Sequence, residues 1–350
     1  MPTLETHDLF TSLQGDYFIY RIPALVITPN GTILAFAEGR RHNGRDEDEI
    51  DIVLRRSRDG GATWEPQRIV VSDGDRTCGN PCPVVDRNTG SVILPFCKDN
   101  QQVFVTRSLD DGETWSKPEE ITDKVKDPGW TYVGTGPGHG IQLQNGRLLI
   151  PSWSDSSPGP ATWRMPPAVW GKVQSSYAFF SDDGGMNWQR GQEMTSNASD
   201  ECEAVELLNG VVYMNMRSRG GSKRRATTRS YDQGQTWSDV EYDAALPEPE
   251  CQGGITRFDD GRVLLSHPSE VDERRNLTVS LSYDDCQTWP VRKILEPGPS
   301  AYSDLAVTDD GRILCLYEIR GEDYSDVGSR KITLSRFNVE WLESGDSIGA

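Results

Sequence analysis

Ser57-Arg58-Asp59-Gly60-Gly61-Ala62-Thr63-Trp64 is an eight-residue box whose skeleton, Ser-x-Asp-x-Gly-x-Thr-Trp, keeps returning along the chain. It recurs at Ser108–Trp115, at Ser181–Trp188 (with Asn187 for threonine) and at Ser230–Trp237. A fifth copy, Ser282–Trp289, carries Cys286 where the others have glycine. Each element suits a tight turn between strands. The aspartate can accept N–H groups of its own turn, the glycine can take a left-handed conformation, and the tryptophan can pack beneath. The box is a folding device and carries no chemistry of its own.

A second repeat lies between the boxes and counts the units. A turn glycine followed by an apolar run occurs six times, at Gly31, Gly90, Gly146, Gly210, Gly261 and Gly311, with spacings of 59, 56, 64, 51 and 50 residues. Short apolar runs bounded by turn signals read as buried strands. Such a period, with roughly four strands per unit, predicts an all-β six-bladed propeller of four-stranded antiparallel blades. The stretch Thr6–Thr11 is expected to supply the missing strand of the last blade and close the ring. The interval Ser154–Gly171, rich in Pro, Gly and Trp, reads as a surface loop over a site. Nothing divides residues 1–350, which read as a single domain.

Lys and Arg total 36 against 54 Asp and Glu, a net charge of −18. That balance argues against nucleic acid or an anionic membrane as partner, and an anionic substrate would need a local basic site. Seven scattered cysteines read as free thiols in a reducing compartment, and four histidines show no zinc-binding spacing. Met1–Asp8 lacks the charged and apolar regions of a signal peptide, and no apolar run is long enough to span a bilayer. The expectation is a cytoplasmic protein without stable membrane insertion, secretion with a removed leader being the alternative.

Seven residues beyond the six turn glycines stand Glu38, Cys97, Trp153, Arg217, Pro268 and Glu318. Equal offsets in equivalent strands place them at one height. Charged groups at the ends of buried strands are costly unless they face a wet cavity or one another, so a polar site is expected there.

Further motifs give that site a chemistry. They are Tyr20-Arg21-Ile22-Pro23, Arg40 and Asp46, Glu201-Cys-Glu-Ala-Val-Glu206, Arg217, Arg274 and Ala301-Tyr302-Ser-Asp-Leu305. Together with the boxes they resemble the exo-α-sialidases, six-bladed propeller glycosidases that remove terminal sialic acid. Gly136-Pro-Gly-His-Gly140, Asn80-Pro-Cys-Pro83 and Cys251-Gln-Gly253 are most similar to the cytosolic-type animal members. The resemblance covers essentially the whole chain.

The resemblance implies a role for each matching residue. Arg21, Arg217 and Arg274 match the arginines that grip the substrate carboxylate, with Arg275 as a rival to Arg274, and Glu318 matches the glutamate that steadies Arg21. Tyr302 and Glu206 match the nucleophile and its base. Asp46 matches the general acid/base, although its acidic run, Asp46–Asp51, also reads as a solvated loop or a weak calcium site. Arg40 would contact ring substituents, and Asn80 and Gln252 are further substrate-contact candidates. Pro151-Ser-Trp153-Ser-Asp155 departs from the animal pattern beside the sugar's side chain, which leaves open a related ulosonic acid such as Kdn. The implied activity is retaining hydrolysis of sialylated glycans without metal or organic cofactor. A non-catalytic sialic-acid-binding propeller is one alternative. A trans-sialidase using Trp163 or Trp170 as an acceptor platform is another.

Overall fold

The five boxes fold alike in the computed structural model, which describes residues 1–156, 173–194, 199–323 and 326–344. In the first, Ser57 Oγ donates to Asp59 and accepts the N–H of Gly61, while Asp59 takes both the N–H and the hydroxyl of Thr63. Asn187 replaces that hydroxyl with its amide in the third. Gly61, Gly112, Gly185 and Gly234 have φ between 76° and 85°, and Cys286 occupies the same left-handed region at 62°. The tryptophans beneath the turns, Trp64, Trp115, Trp188, Trp237 and Trp289, pack into five different apolar clusters. The core is therefore a ring of separate packings between neighbouring blades.

The first blade is Ile19–Ile27, Ile33–Arg40, Ile50–Ser57 and Arg68–Val71, each antiparallel to the next. The second and third blades have inner strands in two pieces, Cys78–Gly79 with Val84–Asp86 and Tyr132–Thr135 with Ile141–Gln142. The fourth is Ser199–Glu206, Val212–Ser218, Arg224–Ser230 and Glu241–Pro247. The fifth and sixth share one 17-residue strand, Val291–Val307. Its first half is the outer edge of Gly254–Asp259, Arg262–Pro268 and Arg275–Ser282, and its second half is the inner strand against Ile313–Ile319. Leu4–Thr11 then pairs with Lys331–Phe337 and seals the ring. That strand is the one expected from the sequence, longer by two residues.

Register decides which ends share a face. Arg21 lies opposite Glu38, Ser199 opposite Ser218 and Ser300 opposite Ile319, so inner strands begin where second strands end. The hairpin ends, Ile27 with Ile33 and Glu206 with Val212, form the other face. One loop expectation changes. Ser154 and Asp155 are strand, paired within Leu148–Asp155, and only residues 157–172 between the strands, including Trp163 and Trp170, lie outside the described residues. All seven cysteines are buried and unpaired. Among the described residues no helix is long and apolar enough to cross a membrane.

Candidate active site

A cavity of about 440 Å³ opens where the inner strands begin. At its floor is Tyr302, set by a β-bulge between Ser300 and Ser303 and only 5% exposed. Its hydroxyl donates a very short hydrogen bond to Glu201 and accepts Arg217 Nη1 at 3.2 Å. Arg217 Nη1 also reaches the second oxygen of Glu201 at 2.5 Å. The guanidinium of Arg21 lies 5.0 Å and that of Arg274 5.6 Å from the phenol ring centroid. Three cations from three blades thus surround one phenol. Burial, with the Glu201 carboxylate second, raises the Tyr302 pKa, so the neutral phenol is the resting form.

Each arginine is held from behind. Glu318 grips Arg21 through Nε at 3.2 Å and Nη2 at 3.3 Å, and also accepts the N–H of Ile22. Arg274 Nη2 donates to the Glu250 carbonyl at 2.9 Å. Its neighbour Arg275 instead forks onto Glu322 at 2.8 and 3.0 Å, away from the cavity.

A second ionic group forms the opposite wall. Arg40, 2% exposed, makes two bonds to Glu38 and one of 2.7 Å to Asp46. Asp46 keeps its side chain 66% exposed, with Arg21 3.9 Å away. Desolvation pushes its pKa up, but Arg40 and Arg21 outweigh that and hold the carboxyl below the usual range. The rest of the acidic run is a loop folded on itself. Asp48 accepts the N–H groups of His42, Asn43, Gly44 and Glu49, which holds the loop closed on that side chain. Asn80 lines the cavity, its N–H on Glu38 and its amide on Asn100. Trp153 stacks on Tyr132 at 4.4 Å, and Gly134 faces it in the register. A Cβ at Gly134 would lie 2.3 Å from the Trp153 indole nitrogen, so only glycine fits.

Of the six equal-offset positions, Glu38, Trp153 and Arg217 line the cavity and Glu318 supports Arg21, whereas Cys97 and Pro268 do not take part. Two sequence expectations are corrected. Glu206 is not the partner of Tyr302. It is at the hairpin end of the strand that begins with Ser199, with its carboxylate on the Gln144 N–H at 2.7 Å. Five residues of extended chain, about 16 Å, separate it from Glu201. It lines a different cavity of about 830 Å³ on the opposite face, with Arg87, Arg257 and Asp259. Gln252 is not a substrate contact. It is fully buried, and its amide bonds the backbone of Ser303. Glu201 was missed.

Beneath the site, Asp304 accepts His139 Nδ1, the Leu25 N–H and its neighbour Leu305 N–H, at 2.7, 2.6 and 2.7 Å. Glu203 accepts the Ile255 N–H at 2.8 Å and the Gln252 amide at 3.3 Å. Through these bonds the buried cluster ties five blades together, with one donor atom from each of His139, Glu203 and Asp304 within 4.8 Å of the others.

Fold and site together define the class: a propeller of BNR-type repeats with an arginine-rimmed site around a tyrosine. Residues 31–315 match the BNR repeat-like domain. The chain is 30% identical to the exo-alpha-sialidase of Aspergillus fumigatus, over 93% of this chain and 85% of that protein. It is 32% identical to Sialidase-2 of Cricetulus griseus, over 96% and 97%. The solved Hadza microbial sialidase Hz136 superposes with a TM-score of 0.84 at 29% identity, covering 96% of this chain and 69% of that one. The chain belongs to the sialidase family.

Proposed function

We propose that this protein is a retaining exo-α-sialidase that removes terminal α-linked sialic acid from sialylated glycans, with Tyr302 as nucleophile and Glu201 as its base. The observation that carries the reading is the Tyr302–Glu201 hydrogen bond inside a ring of three arginines. Sialic acid bears a carboxylate on its anomeric carbon. Charge-assisted bonds from Arg21, Arg217 and Arg274 suit that group and would bring the anomeric carbon over the phenol. An anionic nucleophile would be repelled by the same carboxylate. A neutral phenol that passes its proton to Glu201 only during attack avoids the repulsion.

Asp46 serves as the acid that protonates the departing oxygen, then as the base that activates water on the sialyl-enzyme. In the free site Arg40 and Arg21 keep it ionised. An incoming carboxylate offsets those cations and raises the proton affinity of Asp46 when a proton is needed. Tyr132 and Trp153 form an aromatic wall for the sugar's side chain.

A fluorinated sialic acid probe, which arrests the covalent intermediate, tests the reading. Mass spectrometry should locate the adduct on Tyr302, and NMR of sialyllactose cleavage should show the α-anomer released first. A β-anomer as the earliest product, or an adduct on another residue, removes the mechanism.

A further inference from the structure

Tyr302 stands in a bulge, and bulged residues lose regular ladder partners, so something else must hold this one in place. The residue after it, Ser303, regains register opposite Tyr317 and is held from its other edge by a side chain. Gln252 Oε1 accepts the Ser303 N–H at 2.9 Å, and Gln252 Nε2 donates to the Ser303 carbonyl at 3.0 Å. The primary amide thereby meets one residue's donor and acceptor as a neighbouring strand would. Its second amide hydrogen faces Glu203 at 3.3 Å. Only one orientation of the amide satisfies all three contacts. The approach depends on small residues that follow: a Cβ at Gly254 would lie 2.8 Å from the Ser303 carbonyl, and one at Gly253 2.8 Å from the Ser266 carbonyl.

Glu203 belongs to the same strand as Glu201, two residues on, and Ser303 directly follows Tyr302. Gln252 therefore bridges the strand that carries the base and the strand that carries the nucleophile, without touching the cavity itself. We infer that Gln252 is a positioning residue that sets the distance between the Tyr302 hydroxyl and Glu201. The inference rests on the assignment of Tyr302 as nucleophile. None of the three arginines bonds Gln252 itself, Arg21 being held by Glu318, Arg217 by Glu201 and Arg274 by the Glu250 carbonyl, so loss of the amide should affect attack more than carboxylate binding.

Gln252→Leu keeps the approximate volume and removes all three bonds. Gln252→Glu keeps the acceptor and restores a donor only when its carboxyl is protonated. With the fluorinated probe, the maximal labelling rate of Gln252→Leu should fall about tenfold or more, because small misplacements of reacting atoms cost that much. Its KM for an aryl sialoside should stay within about threefold of wild type on the same argument. Gln252→Glu should recover labelling as pH falls, with an ionisation absent from wild type and from Gln252→Leu. If Gln252→Leu folds poorly, that recovery in Gln252→Glu still decides. Wild-type labelling at Tyr302 with undiminished labelling of both variants overturns the inference alone. So does a loss that merely tracks the unfolded fraction. A wild-type adduct elsewhere than Tyr302 overturns the proposed function instead.

Discussion

At the scale of single residues, the two glutamates of one strand make the sharpest test. Glu201→Gln should lose about 10²–10⁴-fold in kcat, the usual contribution of a positioned base, while Glu206→Gln should stay near wild type. Equal losses, measured on an aryl sialoside, would restore Glu206 to the site. Asp46 makes a second prediction, in pH dependence. Arg40 and Arg21 hold its pKa down in the free protein, and a bound carboxylate weakens their hold. The alkaline limb of kcat/KM, which reports the free enzyme and needs Asp46 protonated, should therefore lie at lower pH than that of kcat for a substrate whose glycosylation step limits turnover. Asp46→Ala should lose more on sialyllactose than on an aryl sialoside with a good leaving group, and identical losses would remove it from the acid role. The sequence itself sets Glu206 apart from Arg217. Gly210 marks the hairpin after the strand, and Arg217 lies seven residues beyond it. Glu206 stands only four residues before that glycine, so it cannot share the height of Arg217, whereas the Glu201–Glu203 end of the strand can. Gln252 was different: a glutamine's type does not reveal whether its amide meets a ligand or a backbone.

At the scale of elements, the closing strand carries the prediction. Leu4–Thr11 covers the edge of Lys331–Phe337, and it buries Leu9 and Phe10 against Ile332 and Leu334. Removing residues 1–11 would leave that edge bare, a template for pairing between molecules. The truncated protein should melt lower and scatter light at concentrations where the full chain is monodisperse. Unchanged melting and scattering would show that the strand is dispensable. The boxes and turn glycines made the blades legible because their conformations demand particular residue types. The continuous strand Val291–Val307 was not legible. Glu296-Pro297-Gly298-Pro299 reads as a turn, yet the chain stays extended there while its register shifts, since prolines offer no N–H to the ladder. The extent of Leu148–Asp155 was hidden because its Ser-Trp-Ser-Asp end breaks the apolar run, although only Trp153 of the four lines the cavity.

At the scale of the whole molecule, the buried His139–Asp304–Glu203 cluster makes stability depend on pH. Burial alone would lower the His139 pKa, but the charge and hydrogen bond of Asp304 raise it above the ordinary value. A raised folded-state pKa gives stability that is complete below about 6.5 and is lost as pH rises through the folded value. Glu203, raised by burial and then by Asp304, acts in the same direction from its own lower reference. The box aspartates oppose this at the acid end. Asp59, Asp110 and Asp183 are lowered to about 2, first by the side-chain hydrogen bond within each box, so their contribution is lost as pH falls toward that value. Melting temperature should therefore pass through a maximum, and His139→Gln should flatten only the alkaline decline. An alkaline limb unchanged in that variant would refute the assignment. The seal between Leu4–Thr11 and Lys331–Phe337 also orders events in time. Thr3 bonds Asn338 across 335 positions, so the earliest of these strands to leave the ribosome waits for the latest. At about 5–20 residues per second that wait lasts tens of seconds. For all of it the nascent protein is an open arc with two unpaired ends, and it becomes a ring only once Lys331–Phe337 has emerged.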